Sequence, residues 1–205
     1  MTAIDSLPET LLITQPLKRW SVDDYHKLSE FGLLAPEERT ELISGQILLM
    51  AAKGTPHVVA LQLLALQLDK FLRDRPYFVR TQDPIQLDNS SEPEPDLVVA
   101  NGDILTYVDH HPYPNDIQIV VEIADTTLQK DCEVKDKLYA KANIAEYWVV
   151  DLRNRQFHVF QQPTQSGYNS HLILREDNSI SPLAFPELTL AIASILPPKS
   201  KQPYQ

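Results

Sequence analysis

Residues 117–124, IQIVVEIA, constrain the fold more than any other stretch, because apolar side chains occupy both faces of what must be a strand. Such a strand has to be covered on both sides. Residues 130–142 then carry a helical pattern, and EYWVVDL at 146–152 is a second apolar strand. A strand-helix-strand order implies a crossover connection, so the two strands are expected to be parallel.

The other elements are read around that unit. Ser21 with Asp24 resembles a capping box, and Trp20, Tyr25, Leu28 and Phe31 recur at helical spacing before Gly32, which predicts a short helix at 21–31. TELISGQILLM at 40–50 predicts one or two strands about a Ser44-Gly45 turn or bulge. Thr55-Pro56 reads as an N-cap and first-turn proline. The helix it opens runs to about Arg73, with Val58, Leu61, Leu64, Ala65 and Leu68 as its buried stripe. YFVRTQ and PIQL predict two short strands, acidic SSEPEP a solvated loop, DLVVA a strand starting at Asp96, and RQFHVFQ a strand after an Arg153-Asn154 turn. A short strand or two and an apolar segment are expected between 171 and 196. Residues 1–18 and 197–205 are read as flexible ends of a single domain at 19–196.

Two carboxylates stand out. Asp96 follows Pro95 at a strand start, and Glu122 sits inside the doubly covered strand, where an unpaired charge is costly. Side chains on one face of neighbouring strands, roughly 4.8 Å apart, can share a hard cation. The plainer alternative makes Asp96 a turn cap and Glu122 a solvent-facing residue. On a helical wheel Val134, Leu138 and Ala142 define the inward stripe of the next helix; Asp131 and Lys135 lie on the same side, and Lys137 points away. Lys135 is therefore expected either to reach the carboxylates or to pair with Asp131 four residues earlier. His57 opens a helix where a phosphate can bind, and a structural role is the plainer reading. His110 and His111 belong to a proline-rich surface loop, and Tyr147, Trp148, Phe157 and Phe160 to the core.

Composition limits the function classes. A chain of 205 residues that is 43% hydrophobic can bury one real core. Cys132 is its single cysteine, which excludes an internal disulfide and a zinc knuckle and suits a reducing compartment. No basic-then-apolar leader and no run near the roughly 20 residues of a membrane span is present, so a cytoplasmic, membrane-free protein is expected. The net charge of -10 argues against nucleic-acid binding through a broad basic face. A metal-dependent site partly escapes that objection, because divalent cations neutralise its carboxylates.

The series ELISGQ, Thr55-Pro56-His57, SEPEPDLVV and VVEIADTTLQKDCEVKDKLYAKANIAEYWVVD resembles the Uma-type family of endonucleases, within the PD-(D/E)XK superfamily, from about Trp20 to Leu196. The resemblance implies an α/β, restriction-endonuclease-like fold: a central mixed sheet flanked by helices. It also implies Mg²⁺ or Mn²⁺ as cofactor and nucleic acid as partner, DNA before RNA. Catalytic roles fall on Asp96, Glu122 and Lys135, and metal binding on Asp96, Glu122 and Glu41, the glutamate of E-L-I-x-G; a neighbouring basic group is the plainer partner for Glu41. The superfamily's lysine, expected two residues after the acid, is Ala124 here; the resemblance moves it to Lys135 in D-x-x-x-K-x-x-x-Y. The activity implied is Mg²⁺-dependent endonuclease cleavage, with a homodimer expected because one small domain cuts one strand. A catalytically silent nuclease fold serving as a binding or regulatory module, and an RNA or nucleotide phosphodiesterase, stay open beside it.

Overall fold

Residues 16–35 and 37–198 are described in a computed structural model. The expected flexible ends therefore fall, apart from 16–18 and 197–198, outside the described residues. The doubly apolar run is strand β5 (Ile117–Ala124), third in a six-stranded sheet of order β3-β4-β5-β6-β7-β8. Its partners are β4 (Leu97–Asn101), antiparallel, and β6 (Glu146–Asp151), parallel. Strands β3 (Tyr77–Thr81), β7 (Gln156–Thr164) and β8 (Gly167–Arg175) extend the sheet with antiparallel pairs.

Period-two alternation sorts the sheet's side chains into two cores. Leu97, Val99, Val121, Ile123, Trp148 and Val150 pack with helix α2 (Thr55–Leu72). Val98, Ala100, Val120, Ala124, Tyr147 and Val149 pack on the other face with Tyr139. Tyr139 lies on helix α3, which begins as Leu128–Lys130, widens into a π turn over Asp131–Lys135 and closes as Asp136–Lys141. Helix α1 (Val22–Glu30) carries the expected capping box between Ser21 and Asp24. Strands β1 (Thr40–Ile43) and β2 (Gln46–Leu49) form a separate hairpin, and β9 (Ser179–Ile180) pairs with β10 (Leu190–Ala191). Ser44 and Gly45 both have positive φ, as a two-residue turn of the hairpin type needs. A Cβ on Gly45 would lie 2.8 Å from Cβ of Arg19, so only glycine fits there. Among the described residues no helix is long and apolar enough to cross a membrane.

Several expectations need correction. PIQL forms no strand; Ile85 and Leu87 are buried there as irregular chain against the α3-side core. SSEPEP is not a solvated loop, because Ser91, Glu92 and Pro93 are buried and the backbone of Glu92 bridges to Leu42 of the hairpin. Each acid of that segment finds a partner: Glu92 meets His26 Nε2 at 2.8 Å, and Glu94 pairs with Arg39. The strand after it begins at Leu97, one residue past Asp96. Gly54, not Thr55, is the N-cap of α2, and Val58 is exposed; Ala60 and Leu72 complete the buried face with Leu61, Leu64, Ala65 and Leu68.

On β7 and β8, His158 and His171 stack, with 3.0 Å between Nδ1 and Nε2. One ring must donate and the other accept, so at least one must be neutral. Burial lowers the pKa of both, and the charge of His171 lowers that of His158 further. A histidine whose folded pKa is depressed stabilises the fold above its ordinary value near 6.5 and loses that contribution as pH falls. The urea midpoint of the wild type is expected to drop between neutral pH and pH ~5, and to drop less in His171→Gln. An equal drop in both proteins would show that the pair does not carry this pH dependence.

Candidate active site

The register of β4 and β5 places the two carboxylates together. Leu97 is opposite Val121, so the next pair outward is Asp96 and Glu122. Directly opposed residues point to the same face, with Cβ atoms about 5 Å apart. Both are buried, Asp96 7% and Glu122 5% exposed. They line a pocket of about 100 Å³ with Glu41 of the hairpin, Lys53 and His57 at the start of α2, and Lys130, Asp131 and Lys135 of α3.

Asp96 is held from four sides. The Nε2–H of His57 and the backbone N–H of Ile123 donate to Oδ2 at 2.9 and 2.8 Å. Gln82 donates to Oδ1 at 3.2 Å, and the Lys53 ammonium stands 3.8 Å from that oxygen. Burial alone would raise its pKa; the His57 contact, the Ile123 amide and Lys53 together hold the carboxyl below its ordinary value. Lys53 itself is pulled down by burial.

Glu122 has the opposite balance. Burial, tempered by Lys135 and reinforced by Asp131, Asp96 and Glu41, pushes it up to about 8. Lys135 Nζ donates to its Oε1 at 2.7 Å and Tyr139 OH donates to the same oxygen at 2.9 Å. The ammonium also lies 3.2 Å from Glu41 Oε2. Burial works against the charge on Lys135, but Glu122 and Glu41 more than offset it, so the lysine is held protonated. Of the two partners expected for Lys135, the structure supplies the carboxylates rather than Asp131. Asp131, raised by burial, accepts from Thr127 Oγ1 at 2.6 Å.

The spacing along α3 accounts for this geometry. Asp131, Lys135 and Tyr139, four apart, are the buried residues of the face α3 turns to the site, whereas Val134 is 47% exposed. Of the wheel's apolar stripe, Leu138 and Ala142 pack against the α3-side core and Val134 alone is misplaced; the wheel's placement of Lys135 is right. Ala124, at the superfamily's usual lysine position, is fully buried on the α3-side core.

Glu41 is 1% exposed and engaged through both oxygens, by Lys130 at 2.6 Å and by Lys135. It is satisfied by basic neighbours, and a place for it on a cation requires one of those lysines to leave. Lys53, Lys130, Tyr139 and Thr127 were not singled out as site residues. Their contacts depend on chain reversals at 50–54 and 125–130 that no local pattern encodes; only Tyr139, third in the D-x-x-x-K-x-x-x-Y spacing, carried a signal. His110 is exposed and stacks on Tyr113, outside this pocket.

The class is defined first by architecture, a mixed sheet with opposed carboxylates at the ends of two central strands. A crystal structure of a putative nuclease of the DUF820 group from Anabaena variabilis ATCC 29413 shares this fold, with a TM-score of 0.68 over 88% of this chain and 97% of that one, at 16% identity. The chain belongs to the Uma2 family, described as putative restriction endonucleases, whose model matches residues 22–193. No curated protein matches.

Removing one partner from a buried ion pair leaves the other charge uncompensated, at a cost of about 3–5 kcal/mol. Lys135→Ala is therefore expected to lose stability on that scale by urea denaturation, and Tyr139→Phe about 1–3 kcal/mol for one hydrogen bond to a carboxylate. A Lys135→Ala loss below ~1 kcal/mol would mean that Glu122 is neutral in the resting protein.

Proposed function

We propose that the chain is a metal-dependent endonuclease that hydrolyses phosphodiester bonds, with DNA the favoured substrate and Asp96, Glu122 and Lys135 the catalytic group. The observation that carries this reading is the Lys135 ammonium, 2.7 Å from Glu122 in the pocket that Asp96 also lines. Membership of a family described as restriction endonucleases supports it.

The donor set fits a hard divalent cation. Six carboxyl groups line the pocket (Glu41, Glu94, Asp96, Glu122, Asp125 and Asp131) beside three lysines (Lys53, Lys130 and Lys135), so oxygen ligands of the kind a hard cation takes are plentiful there. Among the described residues no three His, Cys, Asp or Glu side chains form a ready-made cage. Mg²⁺ is commonly bound by one or two carboxylates plus waters and substrate phosphates. Asp96 and Glu122, with the carbonyl of Ile123, would hold Mg²⁺ or Mn²⁺, which when bound polarises a phosphate and acidifies a bound water.

The chain's own groups do the rest. Asp96 is kept ionised by His57 and the Ile123 amide, so it is ready as an anionic ligand at neutral pH. Tyr139 fixes the orientation of Glu122. An ammonium has three N–H donors; one from Lys135 goes to Glu122 and a second contact faces Glu41. The third is available to orient a water or to meet the charge that builds on the phosphate oxygens. One domain of this size cuts one strand, so a homodimer would cut a duplex.

A second reading, a silent nuclease fold used as a binding module, is favoured by the net charge of -10. Incubation with plasmid and single-stranded DNA in Mg²⁺, Mn²⁺ or EDTA separates the two. Cleavage is expected only with metal, with at least ~100-fold loss in Asp96→Ala and Lys135→Gln. A wild type that cuts nothing, or variants that cut equally well, would decide for the silent module.

A further inference from the structure

We propose that Lys53 and the first turn of α2 form a seat for one phosphate of the substrate beside the Asp96–Glu122 pair, an inference that rests on the phosphodiesterase reading above. The three lysines of the pocket are not equivalent. Lys130 and Lys135 each donate to a carboxylate, at 2.6 and 2.7 Å. The Lys53 ammonium is enclosed yet makes no hydrogen bond, and its nearest carboxylate oxygen, on Asp96, is 3.8 Å away. Its donors are unused and its side chain is only 15% exposed, so Asp96 at 3.8 Å compensates the desolvation of this charge only in part.

The neighbouring backbone points to the same ligand chemistry. Helix α2 is 18 residues long, its N-cap Gly54 supplies no side-chain cap, and Pro56 has no N–H. Among the described residues the amides of Thr55 and His57 have no acceptor, and the partial positive charge of the helix end adds to that of Lys53. His57 is 7% exposed, spends Nε2–H on Asp96, and leaves Nδ1 without a partner. Gly54 and His57 line the pocket together with Lys53. A charged ammonium and two free amides call for a compact, multi-oxygen anion. A pocket of about 100 Å³ holds about three waters' worth of liquid volume, which suits a phosphate group and leaves base and sugar outside. This seat also answers the acidic surface: attraction is concentrated at one point instead of spread over a basic face.

The test measures binding of short fluorescein-labelled duplex and single-stranded oligonucleotides to the full chain, with Ca²⁺ in place of Mg²⁺, across a salt series. Lys53→Gln is expected to weaken binding about tenfold and to flatten the slope of log K against log salt by about 0.9 on duplex or about 0.7 on single strand. Lys53→Arg is expected to keep the slope, and both variants the wild-type thermal midpoint. A wild type that binds and cuts DNA while Lys53→Gln keeps its slope overturns the seat alone, as does weaker binding with an unchanged slope, which would mark a merely structural lysine. A wild type that neither binds nor cuts overturns the phosphodiesterase reading, and the seat with it.

Discussion

The contact between Lys135 and Glu122 is the constraint around which the rest of the molecule is arranged. It ties the central strand β5 to helix α3 by an ammonium 2.7 Å from a carboxyl group that burial pushes toward its neutral form, in a place with almost no water. The charge on the lysine would not be tolerated there alone. Every neighbouring feature adjusts that balance: Glu41 adds a second anion to the lysine, Tyr139 adds a donor to the carboxylate, and Lys130 holds Glu41 in turn. The hairpin β1–β2, which belongs to a separate small sheet, joins the domain's chemistry through Glu41.

Much of this frame is legible in the sequence because it is local. The apolar run at 117–124, the capping box at Ser21 and the Ser44-Gly45 turn each depend on a few adjacent residues, and each forms where expected. What was misread depends on distant contacts. SSEPEP has the composition of a solvated loop, but it is drawn inside because Arg39 and His26, from other parts of the chain, meet Glu94 and Glu92. PIQL has the composition of a strand, yet its buried residues fill a core gap without joining a ladder.

The candidate site was legible in part for the same reason. Asp96 and Glu122 stand at strand ends, and strand register brings them opposite one another. Lys135 is placed correctly by a stripe of which one apolar member fails: Val134 is exposed, Leu138 and Ala142 pack against the core, and Asp131, Lys135 and Tyr139 are the buried residues beside them. A hydrophobic-periodicity argument assumes an apolar floor beneath a helix. Over a reactive site that assumption fails, and polar spacing becomes the better guide.

The widened turn at Asp131–Lys135 has an evolutionary consequence. A π turn differs from an α-helical one by a single accommodated residue. Because that residue is absorbed within the turn, deleting it would restore ordinary winding with the flanking turns still facing as they do, and the change would fall on the turn itself, where Asp131 and Lys135 stand. The ammonium that meets Glu122 thus sits in a segment whose length can change by one residue without unseating the sheet or the helical turn that follows.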